Sequence, residues 1–213
     1  MSAPEVESNC DVLIVGAGVA GLSLATALGH QGFKVGVIDG APRPERPADG
    51  RDIADWDLRV SALTPASIRF LTALGAWQGI PADRTGRYHC MQVWDAQGTG
   101  SIRFDAEEVQ TPFLGHIVEN RLTLQALLQC ADQCAGVEVM WGQGLESMTH
   151  TEAGWEITSS AGHRYCAPLT VGADGARSRV RELTAMPTRQ WSYDQNAIVG
   201  TVALESGHMN TCW

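Results

Sequence analysis

Three glycines, Gly16, Gly18 and Gly21, stand directly behind the apolar run Val12–Val15. A short apolar run of this kind reads as a strand buried on both faces, and glycines inside a following helix would only weaken it. Their use is backbone access. In a Gly-x-Gly-x-x-Gly turn the first glycine permits the tight bend from strand to helix. The second lets the main chain approach a pyrophosphate, and the third lets the helix pack close to the strand. The helix N-terminus then offers free N–H groups and a partial positive charge to the phosphates. A second apolar run, Val35–Ile38, ends in Asp39, near the spacing expected for a carboxylate that binds an adenosine ribose. The glycine pattern alone is a weak signal. With a strand before it, a helix behind it and an acid after the next strand, it reads as a dinucleotide site, and it leaves NAD and FAD both open.

A second constellation is TVGADGARSRVRE, residues 170–182. A buried strand ends at Gly172, Ala173-Asp174-Gly175 form a turn, and a helix follows with Ser178, Arg179 and Arg181 in its first turns. A carboxylate at such a turn can accept hydrogen bonds from a ribose or ribityl hydroxyl, or orient backbone N–H groups around a pyrophosphate. The plainer alternative is Asp174 as a helix cap, with Gly175 serving the turn; taken alone, this segment favours the cap.

The elements that must carry these residues follow from periodicity and punctuation. Residues 40–57 are rich in proline, glycine and charge and read as a long loop. LRVSAL, residues 58–63, is strand-like; Thr64-Pro65 starts a helix that Gly75 stops. Residues 88–105 read as a β-hairpin outside the parallel sheet, around the turn AQGTG. LGHIVENRLTLQALL begins as a strand and becomes a helix near Glu119 or Asn120, and Val137–Trp141 is a further buried strand. The alternation over 145–167, with turns at Ala153-Gly154 and Ala161-Gly162, reads as an antiparallel meander, and 196–205 as a strand. No internal repeat or low-complexity tract is present.

Composition sets the outer limits. The chain has 213 residues, 44% of them hydrophobic, enough for one large or two small domains with a substantial core. Fifteen Lys and Arg against 24 Asp and Glu give a net charge of −9, which makes nucleic acid a poor partner. No apolar run is long enough to span a bilayer, and the first ten residues are acidic and polar, unlike a signal peptide. The expected location is therefore cytoplasmic. The six cysteines, Cys10, Cys90, Cys130, Cys134, Cys166 and Cys212, are expected to be free thiols. Cys130 and Cys134 can share a helix face, but no Cys/His motif accompanies them, so no metal site is expected.

The glycine turn, LRVSAL, LGAWQ, YHCMQVWD, LGHIVEN with ENRLTLQALL, and VGADGARSRVR occur in one order from Asp11 to the end of the chain. Together they resemble the flavin-dependent aromatic hydroxylases (group A monooxygenases), and within them the ubiquinone-biosynthesis hydroxylases of the 2-octaprenylphenol hydroxylase branch. The resemblance implies an α/β fold: a Rossmann-like FAD-binding domain with a central parallel sheet and a β-meander, plus part of an antiparallel-sheet substrate domain. It assigns 1–87 and 106–187 to the first and 88–105 and 188–213 to the second. It implies bound FAD, with NAD(P)H and O₂ as co-substrates and a polyprenylphenol as the ring hydroxylated. Contact with other ubiquinone-biosynthesis proteins and peripheral contact with a membrane belong to the same expectation.

Residue by residue, the resemblance places Gly16, Gly18 and Gly21 at the pyrophosphate turn and Asp39 at the adenosine ribose. Arg59 matches an arginine near the flavin and its phosphates, and Arg121 an arginine on the diphosphate side. Asp174 and Gly175 match an Asp-Gly motif associated with FAD and NAD(P)H. No catalytic side chain is expected, because the cofactor carries the chemistry. Family members are longer and carry a further Gly-Asp motif and most of the substrate-domain sheet, so the chain is expected to be an N-terminal portion. An NAD(P)-dependent dehydrogenase explains the first 40 residues equally well but not the Asp-Gly turn or the hairpin, and a truncated binding module without catalysis is the third possibility.

Overall fold

The computed structural model describes residues 8–46, 50, 52–205 and 207–213, with residues 8 and 9 described by backbone only. They form two compact units, Met1–Arg46 with Leu127–Gln195, and Pro47–Ala126 with Asn196–Trp213. The division falls inside the helix Asn120–Gln133. It places 47–87 and 106–126 with the hairpin, whereas the functional division expected from the sequence placed them with the nucleotide-binding part.

The first unit is a Rossmann-type layer structure. Its parallel sheet runs in the order Leu169–Gly172, Val12–Val15, Val35–Asp39, Val137–Trp141. Val12–Val15 is buried along its whole length, as a strand covered on both faces must be. The helix Val19–His30 packs on the sheet with Leu22 and Ala25 at zero exposure. On the same unit the antiparallel meander Leu145–Thr151, Gly154–Ser159, Arg164–Ala167 forms, with Ser8–Asn9 added parallel at its edge. Ile157, Tyr165 and Ala167 from the meander share a core with Leu13, Val15 and Ile38 from the parallel sheet. Each such fully buried aliphatic side chain contributes about 1.5–3 kcal/mol. The strand Leu169–Gly172 lies at the sheet edge and is half-exposed, where the sequence had suggested burial.

The second unit holds two antiparallel systems. Val60–Leu63, Gly115–Glu119 and Thr85–Tyr88 form one sheet with Gly115–Glu119 central. The expected hairpin is Cys90–Trp94 paired with Ser101–Asp105. The helix Pro65–Ala73 starts as its sequence requires: the Thr64 hydroxyl accepts the Ser67 N–H at 3.2 Å, and Pro65 occupies the first turn. The loop expected over 40–57 lies partly outside the described residues, at 47–49 and 51, and contains one 3₁₀ turn, Ile53–Asp55.

One expected strand does not form. Residues 196–205 pair with no strand among the described residues, and Ile198, Val199, Val202 and Leu204 are 101%, 63%, 75% and 64% exposed. An apolar, β-prone run becomes a strand only where a ladder partner takes its N–H and C=O groups. The short strand found near the end is instead Thr211–Cys212, parallel to Cys90–Met91.

Candidate functional site

The three glycines of the turn prove to have different reasons for being glycine. Gly16 sits at φ +108°, and a Cβ there would lie 2.4 Å from the carbonyl oxygen of Ala173. A Cβ on Gly21 would lie 1.9 Å from the carbonyl oxygen of Gly16. Both are demanded by the chain's own packing. Gly18 is not. Its φ of −75° and ψ of −176° suit any residue, and a Cβ there would meet nothing within 4 Å. Gly18 is exposed, and the space at its Cβ position is open to a group approaching the helix start. Gly18 is the N-cap of the helix Val19–His30 and supplies no side-chain cap, leaving the first N–H groups of the helix to an incoming acceptor.

Asp39 closes the turn. One carboxylate oxygen accepts the Ala17 N–H at 2.7 Å and the other accepts the Ala41 N–H at 2.8 Å. The acid expected at a ribose therefore also fastens the glycine turn to the end of the second strand. Each carboxylate oxygen retains acceptor capacity beyond its one backbone partner.

Asp174 caps the helix that follows it with one oxygen and leaves the other without a partner. Its Oδ2 accepts the N–H groups of Arg179 at 2.6 Å and Val180 at 3.1 Å, capping the short helix Arg179–Leu183 together with Ser178. Its Oδ1 is buried with no hydrogen-bond partner. Burial pushes the Asp174 carboxyl up, but hydrogen bonds from the Ser178 hydroxyl and the Val180 and Arg179 N–H groups outweigh it and hold the pKa below the ordinary value. Gly175 follows at φ +81°, the left-handed conformation the turn requires.

Gly16, Asp39 and Asp174 are brought together: with Ala41, Leu145 and Arg179 they line one cavity of about 250 Å³. An orphaned buried carboxylate oxygen calls for a hydroxyl donor, a bare glycine at a helix start for a phosphate, and a second carboxylate at the strand end for a ribose. These fit the adenosine and pyrophosphate part of a dinucleotide such as FAD.

Arg59 and Arg121 belong to the second unit. Arg59 is exposed; its N–H donates to Asp57 Oδ1 at 3.1 Å and its carbonyl accepts the Asn120 N–H at 2.9 Å. The Arg121 guanidinium pairs with Glu119 at 3.0 Å. Sequence reasoning missed the centre of this arrangement. Glu119 is 1% exposed and bonds the buried Arg84, which also donates to the carbonyls of Gly50 and Asp55 and lies 4.2 Å from the centroid of Trp56. The available signal was an acid ending the apolar strand LGHIVE, where a carboxylate needs a cation. Nothing local pointed to Arg84. This unit also holds a cavity of about 540 Å³ lined by Trp56, Val60, Tyr88, Ile117 and Cys212 beside the Arg84–Glu119 pair.

Fold and site thus define an α/β dinucleotide-binding protein. The chain belongs to the FAD binding domain family, whose model it matches over residues 9–208. It is 32% identical over 203 residues to 3-demethoxyubiquinol 3-hydroxylase of Escherichia coli (strain K12), covering 95% of this chain and 51% of that protein. It is 35% identical over 217 residues to ubiquinone biosynthesis monooxygenase COQ6, mitochondrial, of Xenopus tropicalis, covering 95% and 46%. Among solved structures it resembles P. aeruginosa PqsL in complex with 2-aminobenzoylacetate, with a TM-score of 0.69, 27% identity, and coverage of 87% of this chain and 48% of that one. The chain therefore spans about half the length of the curated relatives it matches. Among the described residues, no helix is long and apolar enough to cross a membrane.

Proposed function

We propose that the chain is the FAD-holding part of a flavin-dependent monooxygenase that hydroxylates a polyprenylated phenol in ubiquinone biosynthesis, with NAD(P)H and O₂ as co-substrates. The observation that carries the reading is Gly18, an exposed glycine at a helix N-terminus with no side-chain cap and open space at its Cβ position. In this reading the backbone of the Gly16–Gly21 turn holds the pyrophosphate and Asp39 accepts the adenosine ribose hydroxyls. Asp174, through Oδ1, accepts a hydroxyl of the cofactor, and Gly175 keeps its turn. Arg59 and Arg121 answer phosphate charge. FAD supplies the redox chemistry, and the protein binds it and orients it.

Residues 1–87 and 106–187 are proposed as FAD-binding and 88–105 with 188–213 as substrate-facing. The cavity beside Trp56 and Tyr88, of a size that suits a ring-bearing ligand, is the place this reading gives to the phenol. Peripheral contact with a membrane and with other proteins of ubiquinone biosynthesis follows from the apolar substrate. The names of the relatives support this reading over a nicotinamide dehydrogenase.

The test is flavin absorbance of the purified chain together with calorimetric titration of FAD and NAD⁺. FAD binding without NAD⁺ binding supports the reading, and the reverse selects the dehydrogenase. Conversion of a 2-polyprenylphenol analogue with NAD(P)H, by a chain that includes whatever length the activity needs, tests the substrate assignment.

A further inference from the structure

We infer that Ser159 is a positioning residue for the nucleotide cavity. Through Gln143 it holds segment 142–145, which supplies Leu145 to the cavity wall, against the rim that carries Asp39. The inference rests on the nucleotide reading of that cavity, and every residue in it belongs to the first unit.

Segment 142–144 is bonded on two sides. Toward the rim, the Gln143 N–H donates to the Asp39 carbonyl at 2.7 Å and the Gly142 N–H to the Ala41 carbonyl at 3.0 Å. The two backbones run so close that a Cβ on Gly40 would lie 3.2 Å from Gly144 Cα. Toward the meander, the Gly144 carbonyl accepts the Ser160 N–H at 2.7 Å, and the Gly144 N–H donates to the Ser160 hydroxyl at 3.1 Å. Ser160 is exposed, so water can take the place of its hydroxyl. Ser159 is 0% exposed, and its hydroxyl donates to Gln143 Oε1. Gln143 thus joins the two sides, its side chain to the meander and its main chain to the rim.

The turn after Ser159 closes without that bond. The Ser159 N–H donates to the His163 carbonyl at 2.9 Å, and the Gly162 N–H donates to the Ser159 carbonyl at 2.9 Å. The Ser159 hydroxyl oxygen accepts the His163 N–H at 3.2 Å. The hydroxyl hydrogen remains, and it is directed out of the turn, onto the segment beside Asp39. The strand ladder is also weak at this point. Leu145 faces Ser159 but Ser147 faces Thr158, so a bulge at Glu146 interrupts the pairing where Leu145 enters the cavity wall. A wall residue beside an interrupted ladder takes its place from the residues before it. A cavity whose wall is in place only part of the time binds in proportion to that time.

The test uses Ser159→Ala, Gln143→Ala and the pair, with ADP affinity read by calorimetry and amide exchange read at Gly142 and Gln143. Each single variant is expected to weaken ADP binding about fivefold, and the pair to lie within about twofold of either single variant. Parent affinity in either single variant, or losses that multiply in the pair, overturns the inference. Gln143 is half-buried and its replacement leaves the turn's own bonds intact, so Gln143→Ala decides the matter even where Ser159→Ala does not fold. Exchange of the Gly142 and Gln143 N–H groups should rise at least about tenfold in each variant, with Val12–Val15 unchanged. An equal rise along Val12–Val15 means a merely structural role and overturns the inference. If the parent chain binds no ADP, the nucleotide reading falls, and exchange decides the positioning separately: unchanged exchange at Gly142 and Gln143 overturns it.

Discussion

Replacing Asp39 by alanine should cost stability and nucleotide affinity together, because the carboxylate is committed to the protein as well as offered to a ligand. The half-buried bond to the Ala17 N–H at 2.7 Å is the stronger of its two; the bond to Ala41 at 2.8 Å is exposed, and water can replace it. A hydrogen bond to a charged group is worth about 1.5–3 kcal/mol. With the outer bond discounted for exposure, the loss comes to about 2–3 kcal/mol, or a fall of about 1 M in the urea midpoint of the first unit. If a ribose hydroxyl also uses this carboxylate, ADP affinity of the folded mutant falls by about tenfold or more. Asp39→Asn keeps one acceptor oxygen and should lie between parent and Ala in the midpoint. Urea unfolding followed by circular dichroism, with ADP calorimetry on the folded fraction, separates the two effects. An alanine variant with the parent's midpoint would refute the fastening of the turn, and one with the parent's ADP affinity would refute the ribose assignment.

Gly16→Ala, at φ +108° with its Cβ 2.4 Å from the Ala173 oxygen, should lose more than about 2 kcal/mol by thermal unfolding, whereas Gly18→Ala should stay within about 1 kcal/mol of the parent. The Asp174 carboxyl has a native pKa below its ordinary value, so its stabilisation is fully present above the unfolded pKa and is lost as pH falls through the native one. Urea midpoints of the parent and Asp174→Asn should differ by a constant amount from pH 7 to about pH 5 and converge below about pH 4. A gap that widens on acidification would contradict the assignment.

Much of the first unit was legible in the chain because its signals are local. Val12–Val15 with its glycines, Val35–Asp39, and the meander with its turns near Gly154 and Gly162 announce themselves within a few residues. The candidate site was legible as a set of residue types but not as a set of duties. Nothing in the spacing says that Asp39 binds Ala17 and Ala41, or that one oxygen of Asp174 takes two N–H groups while the other takes none, because both depend on where the turns place N–H groups. The Arg84–Glu119 pair joins residues 35 apart and follows no period. The tail 196–205 has strand composition without a strand, since pairing belongs to the partner as much as to the sequence.

The central claim is that Gly18 is bare for the sake of a bound nucleotide, and titrating FAD against the parent and Gly18→Val tests it most directly. Valine suits the extended backbone there and its Cβ meets nothing within 4 Å, so the variant should fold at a cost of about 1 kcal/mol as a poorer N-cap. The account predicts a parent that binds FAD and quenches its fluorescence, and a folded Gly18→Val chain that does neither. FAD bound with equal affinity by both would contradict it.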